Sequence, residues 1–302
     1  MTNELSTKID SLKFKNPLLT ASGTFGYGLI MKNILDISKL GGIITKSITI
    51  NPKAGNPPPR VVETACGMLN SIGLENPGID NFLQVILPEI NGFKTNIIAS
   101  IAGETWEEYG MLAEKLENSV NAIEVNISCP NVKKGGMSFG QDVKTTKKIV
   151  KSVRKKTSLP LIVKLTPNVT NIVDIAKATE ENGADAISLV NTYMGLSLDI
   201  ELRRAKLGGF SGGLSGPAIK PMALYAVWDV ARNTNISIIG GGGIMDSTDA
   251  LEFLMAGASL IEIGSATFRE PHASLKILDG IKHFLEKKKI KNIKEIIGII
   301  EK

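Results

Sequence analysis

Eight short apolar runs, most of them separated by helical patterns, constrain the fold of this chain more than any other feature. Each run is rich in Ile, Leu and Val and has the length of a strand that is buried on both faces. In chain order the runs occupy residues 17–22, 42–47, 96–101, 122–128, 161–165, 186–191, 237–240 and 260–264. Eight strand-then-helix units predict an α/β fold, a (β/α)8 barrel, with a doubly wound open sheet as the alternative.

The helical patterns between the runs have recognisable ends. Apolar residues recur at helical spacing in 104–116, 171–182, 221–232 and 247–256, and the last of these begins at an expected Asp246 or Ser247 cap. No linker or low-complexity stretch divides the chain. We therefore expect one domain over residues 1–302, opened by an N-terminal hairpin of about 16 residues.

Length and cysteine content limit the class of protein. The chain has 302 residues, of which 43% are hydrophobic, so it can bury the core of a large barrel. Its two cysteines, Cys66 and Cys129, are too few for a disulfide framework or for a four-thiolate iron–sulfur cluster. The polar N-terminus and the lack of an 18-residue apolar run predict a cytoplasmic protein with no membrane span or anchor.

The net charge of +5 arises in part from lysines near the C-terminus. They are Lys282, Lys287, Lys288, Lys289, Lys291 and Lys294. Aromatic residues do not alternate with them, and no nucleic-acid-binding motif accompanies them. We interpret them as a solvated helix face and expect no nucleic-acid partner.

Two connections are much longer than the others. Residues 51–79 follow the second run and are rich in Pro, Gly and Asn, and residues 192–219 follow the sixth and are rich in Gly. Long loops in compact domains are usually functional or disordered. Both leave the carboxyl ends of predicted strands, where barrels build their active sites.

Glycines at the ends of the last two strands indicate a phosphate group. Four glycines at 240–243 close the seventh strand, and Gly264-Ser265 closes the eighth. Glycine lets backbone amides approach a phosphate closely, and tight turn geometry alone is the alternative. The chain has neither a Gly-x-Gly-x-x-Gly nor a Walker motif, so FMN fits better than a dinucleotide.

Two lysines end predicted strands, Lys46 the second and Lys164 the fifth. Burial of a charged lysine in an apolar barrel strand costs free energy unless the lysine pairs with an anion. The alternative interpretation is a side chain that reaches outward to solvent. A reduced flavin and a carboxylate substrate would each supply negative charge. We expect both lysines to face the site.

The segment Asn-Ile-Ser-Cys-Pro-Asn at 126–131 ends the fourth strand. A cysteine at a strand exit can act as a thiolate, although a lone cysteine is more often a small buried apolar residue. Asn70, Asn191 and Thr192 also lie at strand exits, where they suit a pyrimidine ring or simply satisfy their own turns. No histidine and no metal-ligand spacing occurs in these motifs, so a histidine base and a catalytic metal are disfavoured.

Together the motifs resemble the class 1 dihydroorotate dehydrogenases over nearly the whole chain. The segments that carry the resemblance are 20–23, 45–47, 55–60, 69–74, 126–131, 163–167, 191–192, 213–217 and 238–258. The resemblance implies FMN bound by Ser22, Lys46, Ser47, Ser100, Asn126, Lys164, Val190, Gly216, Gly242, Gly243, Gly264 and Ser265. It implies dihydroorotate or orotate bound by Lys46, Asn70, Ser71, Ile72, Gly73, Leu74, Asn126, Asn191 and Thr192.

The resemblance also implies a reaction. Cys129 would take the C5 proton of (S)-dihydroorotate while the C6 hydride passes to FMN, giving orotate for UMP synthesis. Residues 131–140 are similar to the NAD-linked subtype, class 1B, which implies a partner subunit carrying FAD and a [2Fe–2S] cluster in a homodimer or heterotetramer. The alternatives are a fumarate-linked class 1A enzyme, a related FMN barrel acting on uracil-like pyrimidines, and a non-catalytic phosphate-binding barrel.

Overall fold

The computed structural model describes residues 4–128, 130–131 and 137–300, and within them eight parallel strands form a closed barrel. The strands pair in chain order, and β8 pairs with β1 to close the barrel. They are β1 Leu18–Thr20, β2 Gly42–Ile44, β3 Asn96–Ile101, β4 Ala122–Asn126, β5 Leu161–Lys164, β6 Ala186–Leu189, β7 Ser237–Gly241 and β8 Leu260–Ile263. The barrel prediction is confirmed, and the open-sheet alternative is wrong.

Helices occupy all the strand connections except the first, which contains only the 3-10 turns Met31–Asn33 and Ile37–Lys39. The α-helices are α1 Ile79–Asn81, α2 Leu87–Ile90, α3 Trp106–Leu116, α4 Val143–Arg154, α5 Ile172–Glu180, α6 Lys220–Asn233, α7 Ser247–Met255, α8 Ala266–Arg269 and α9 Ala273–Lys288. A π-helical segment, Phe82–Ile86, joins α1 to α2. The four helices expected from periodicity are present, and α7 is capped by Asp246, whose side chain accepts from the N–H groups of Thr248 and Asp249.

The lower half of the barrel interior is apolar. Each strand contributes one inward side chain to it: Leu19, Ile44, Ile98, Ala122, Ile162, Ala186, Ile239 and Leu260. The hairpin strands Thr7–Ile9 and Leu12–Phe14 precede β1, and their Ile9 and Phe14 pack against this layer. The hairpin therefore closes the amino-terminal end of the barrel, and a ligand must enter from the carboxyl ends of the strands.

The two long connections meet in a separate four-stranded antiparallel sheet. Its strands are, in spatial order, Tyr193–Gly195, Gly212–Ser215, Gly67–Asn70 and Val61–Thr64. These strands were not predicted from the sequence. They are short, and three of the four contain glycine. One of the three pairings joins the two connections and only one is a tight hairpin, so they produce no detectable period.

Two further two-stranded pairs lie outside the barrel. They are Leu198–Asp199 with Arg204–Ala205, and Pro130–Asn131 with Met137–Ser138. Short 3-10 turns also occur at Asn91–Phe93, Phe139–Gln141, Pro217–Ile219 and Ile293–Ile296.

The C-terminal lysines lie on the outer surface. Five of the six are exposed. Lys282 is half-buried, and its Nζ lies 3.2 Å from a carboxylate oxygen of Asp279. The interpretation as a solvated face agrees with these positions. Across the described ranges, no helix combines the length and apolar character needed to cross a membrane.

Candidate active site at the barrel mouth

A polar layer lies directly above the apolar layer of the barrel interior. Alternation along a strand places every second side chain on the same face. The polar layer is formed by residues that stand two positions after inward side chains of the apolar layer. They are Ser100 after Ile98, Glu124 after Ala122, Lys164 after Ile162, Ser188 after Ala186 and Glu262 after Leu260. All five are buried. The barrel interior is therefore apolar in its lower layer and polar or charged in the layer just below its mouth.

Lys164 is paired with two carboxylates of the protein itself, which were not predicted from the sequence. Its Nζ forms a close ion pair with Glu262 and lies 3.8 Å from a carboxylate oxygen of Glu124. The Ser188 hydroxyl donates to Glu262 at 2.8 Å. Burial acts to lower the pKa of Lys164, but the two carboxylates outweigh it and hold that pKa above its usual value. Lys164 is therefore a permanent cation beneath the mouth.

Of the two carboxylates, Glu124 has fewer favourable contacts to offset its burial. Its side chain is 0% exposed, and neither of its oxygens accepts a hydrogen bond within the described part of the chain. Burial raises the pKa of Glu124 to about 7, against the lowering effect of the Lys164 charge, and Glu262 raises it further. The barrel interior thus contains a carboxyl group that titrates near neutral pH.

Amide and hydroxyl groups from four strand exits form one hydrogen-bonded chain. The hydroxyl oxygens of Ser100 and Ser47 lie 2.9 Å apart, and Asn126 Nδ2 donates to Ser47 Oγ at 3.2 Å. Asn191 Nδ2 donates to Asn126 Oδ1 at 3.3 Å, and the Thr192 N–H donates to Asn191 Oδ1 at 2.8 Å. The structure therefore brings these five predicted site residues together.

The accessory sheet brings Asn70 to the same mouth. Asn70 Nδ2 donates to the carbonyl oxygen of Gly213 at 3.2 Å. A Cβ atom at Gly213 would lie only 2.0 Å from the Thr192 hydroxyl, so the backbone at Gly213 packs directly on Thr192. Asn70 and Thr192 thus flank one backbone segment.

The rest of the predicted 70–74 segment runs beside a turn at Asn56. Asn56 donates twice, from Nδ2 to Ser71 Oγ at 2.8 Å and from its N–H to the Ile72 carbonyl at 3.0 Å. Gly73 and Leu74 both have positive φ angles, of 73° and 56°. The segment is therefore held in one tight conformation rather than being a free loop.

Lys46 faces an anion that the sequence analysis missed. Its Nζ lies 3.1 Å from a carboxylate oxygen of Glu75, and Arg60 reaches the same oxygen at 3.3 Å. The hydrogen bond and the charge of Lys46 lower the pKa of Glu75. Glu75 follows the 70–74 segment directly, so this ion pair ties Lys46 to the segment that we expect to bind substrate.

Glycines line the opposite side of the mouth. Gly216, Gly242 and Gly243 have positive φ angles, and a Cβ atom at Gly243 would lie 2.8 Å from the Gly216 carbonyl oxygen. At Gly242 the added atom would come within 3.5 Å of the Val190 side chain. The loops after β6 and β7 thus meet at a separation that only glycine allows.

The loop after β8 adds to this glycine-lined side. The nearest neighbour of a Cβ at Gly264 would be Ala21, at 3.5 Å, so Gly264 lies beside the loop that contains Ser22. Ser265 stands at the N-terminus of α8. Close backbone approach and a helix N-terminus are the features that bind phosphate, so these residues fit the phosphate of a mononucleotide cofactor.

Cys129 and residues 132–136 lie outside the described residues. The described chain reaches Ser128, whose N–H donates to Asn126 Oδ1 at 3.1 Å. Tyr109 donates from its hydroxyl to the Asn126 carbonyl at 2.7 Å, which fixes the end of β4. The residue that precedes Cys129 is thus bonded to the amide chain of the mouth.

Comparison with known proteins gives a consistent result. The family model described as dihydroorotate dehydrogenase matches residues 4–285. A protein of Geotalea uraniireducens is 52% identical over 299 residues, covering 98% of each chain. One of Bacteroides thetaiotaomicron is 49% identical over 300 residues, covering 99% of each, and one of Desulforamulus reducens is 50% identical over 296, covering 97% of each.

All three relatives carry the same name, dihydroorotate dehydrogenase B (NAD(+)), catalytic subunit. The family match and the similarity span almost the whole chain. The resemblance seen in the motifs is therefore confirmed, and the chain belongs to the dihydroorotate dehydrogenase family.

Proposed function

We propose that the chain is the catalytic subunit of an NAD-linked dihydroorotate dehydrogenase and oxidises (S)-dihydroorotate to orotate in pyrimidine biosynthesis. The observation that carries the proposal is near-full-length similarity, at about half of all positions, to catalytic subunits of that name. Those names specify NAD, so a fumarate-linked enzyme is not favoured. An enzyme of this family uses a flavin, which argues against a non-catalytic barrel.

FMN is the flavin that we assign to the mouth. Bound FMN would supply the acceptor for the C6 hydride. The glycine-lined side would hold its phosphate through Ser22, Gly216, Gly242, Gly243, Gly264 and Ser265, with Val190 beside Gly242. Lys46, Ser47, Ser100, Asn126 and Lys164 would surround its ring, and the permanent charge of Lys164 favours an anionic reduced flavin.

The amide chain supports a pyrimidine substrate. A ring with alternating N–H and C=O groups needs donors and acceptors side by side, and an amide side chain offers both. Asn126, Asn191 and Thr192 would bind one edge of the ring, and the segment 70–74 the other. Lys46 would bind the substrate carboxylate, which favours dihydroorotate over the uracil-like pyrimidines of the rival proposal.

Cys129 is the residue that we assign as the base. Deprotonated, its thiolate would take the C5 proton while the C6 hydride leaves. Asn126 bonds to the backbone of the neighbouring Ser128, so the same side chain would hold the substrate ring and orient the loop that carries the base. A free thiol has a pKa of about 8.5, so the rate should increase with the thiolate fraction.

A partner subunit follows from the proposed subtype. We propose that it carries FAD and a [2Fe–2S] cluster, because this chain has no dinucleotide motif and too few cysteines for a cluster. Exposed large apolar side chains are concentrated in the connection after β6, which supports a protein contact there in a homodimer or heterotetramer. They are Met194, Leu196, Leu198, Ile200, Leu202 and Phe210, and Ile200 is 81% exposed.

We expect the purified chain to oxidise dihydroorotate with an artificial dye but to reduce NAD poorly. NAD reduction should rise when a flavin- and iron-containing subunit is added, because that subunit supplies the missing electron carriers. The rates of dye, NAD and fumarate reduction, measured with and without the subunit, test this. Fast NAD reduction by the chain alone, or strong activity with fumarate, would contradict the subtype.

A further inference from the structure

Two carboxylates share one ammonium inside the barrel. The groups that face Glu124 on β4 are Ser100 on β3, Lys164 on β5 and Glu262 across the interior on β8. Glu262 has both the close ion pair with Lys164 and the Ser188 hydrogen bond. Glu124 has the 3.8 Å approach to Lys164 and weaker polar contacts with Ser100 and Glu262. Glu124 is therefore the carboxylate whose ionised form loses the most electrostatic stabilisation when another anion approaches Lys164.

We propose that Glu124 takes up a proton when the bound flavin accepts a hydride, and that it acts on the flavin through Lys164. The inference rests on the proposed function because it requires a flavin above Lys164. A hydride brings two electrons and one proton, and it leaves the flavin with one additional negative charge. The carboxylate of Glu124 binds one further proton, supplied by solvent, and becomes neutral.

The reason is the balance of charge in a low-dielectric interior. A reduced flavin would be a third anion around a single ammonium, and like charges interact strongly where water is excluded. Glu262 is bound directly by both Lys164 and Ser188, whereas Glu124 is not. Burial already raises the pKa of Glu124 to about 7, so a modest increase in negative potential is enough to protonate it at a slightly alkaline pH, where it is ionised beside the oxidised flavin.

The serine hydroxyls offer a route for the proton. Ser100 is the register partner of Glu124, and its hydroxyl oxygen lies 2.9 Å from that of Ser47 at the exit of β2. A hydroxyl can donate and accept at once, so a proton can pass along this pair. Glu124 is a positioning residue in this proposal, since Lys164 transmits its charge to the flavin.

The test is the midpoint potential of the flavin in the purified, flavin-loaded protein, measured against pH with a reductant and an indicator dye. Between about pH 7.5 and pH 9, where Glu124 is mostly ionised beside the oxidised flavin, we expect the wild type to bind close to two protons per two electrons. Glu124→Gln should bind one, because only the hydride proton remains. Glu63→Gln, which removes an exposed carboxylate, is the matched control and should behave as the wild type.

A wild-type protein that binds one proton per two electrons would overturn the proposal. So would a Gln variant with the wild-type slope, or a reduced-flavin spectrum showing that the second proton sits on the flavin. If Glu124→Gln does not retain flavin, the proposal is tested with the wild type and with Glu124→Asp. Both should bind two protons per two electrons, and a value of one for either protein would contradict the proposal. Failure of the proposed function would be visible earlier, as a chain that binds no flavin or does not oxidise dihydroorotate.

Discussion

Replacement of Cys129 by Ala is expected to lower dihydroorotate turnover by about 10²–10⁴-fold, the usual contribution of a general base, while the flavin stays bound. The physical reason is that C5 keeps its proton unless a base removes it as the hydride leaves C6. Steady-state turnover with a dye acceptor measures the loss, and flavin absorbance measures the loading.

Two variants serve as controls for this result. Cys129→Ser should retain part of the activity with its optimum at higher pH, because a hydroxyl ionises less readily than a thiol. Cys66→Ala removes an exposed cysteine and should leave the rate unchanged. If Cys129→Ala turns over like the wild type at neutral pH, Cys129 is not the base.

Replacement of Lys164 by Met should have the largest effect on stability. It leaves Glu262 and Glu124 buried without a cation, and loss of one partner of a buried ion pair typically costs about 3–5 kcal/mol. Glu124, whose pKa burial already raises to about 7, should then bind a proton more readily in the folded protein. The stability of the variant is therefore greatest at low pH and falls as pH rises through the folded-state pKa of Glu124, so the loss should be larger at pH 8 than at pH 5.5.

Urea unfolding of the flavin-loaded protein at the two pH values measures this loss. Lys287→Met, on the exposed end of α9, is the control and should change the free energy of unfolding by no more than about 0.5 kcal/mol. Addition of Glu262→Gln to Lys164→Met should recover part of the loss, because one buried charge is removed. A loss no greater than that of Lys287→Met, independent of pH, would mean that Lys164 does not compensate the carboxylates.

The barrel itself was predictable because its signal is local. Each strand lies within one apolar run, apart from the last residue of β7, and the caps of α5 and α7 are visible as Asn171 and Asp246. The meeting of Ser47, Asn126 and Asn191 was also predictable, since the carboxyl ends of parallel strands share one end of a barrel. In this chain, strand order and site location follow from residues close in sequence.

The charged partners of the lysines were missed for different reasons. Glu124 and Glu262 each interrupt an apolar run, Ala-Ile-Glu-Val and Leu-Ile-Glu-Ile, and the argument that a buried charge needs a partner applies to them as it does to Lys164. That signal was present and was not used. Glu75 gave no such signal, because its ion pair with Lys46 depends on how the 51–79 connection folds back over the mouth.

The most direct test of the proposed function is anaerobic mixing of the purified yellow protein with (S)-dihydroorotate, followed by flavin absorbance and product analysis. We expect the flavin absorbance to bleach as orotate forms in an amount equal to the flavin, without any partner subunit. Dihydrouracil, which lacks the carboxylate that Lys46 would bind, should leave the flavin oxidised. A flavin that stays oxidised with dihydroorotate, or one that bleaches equally well with dihydrouracil, would contradict the assignment.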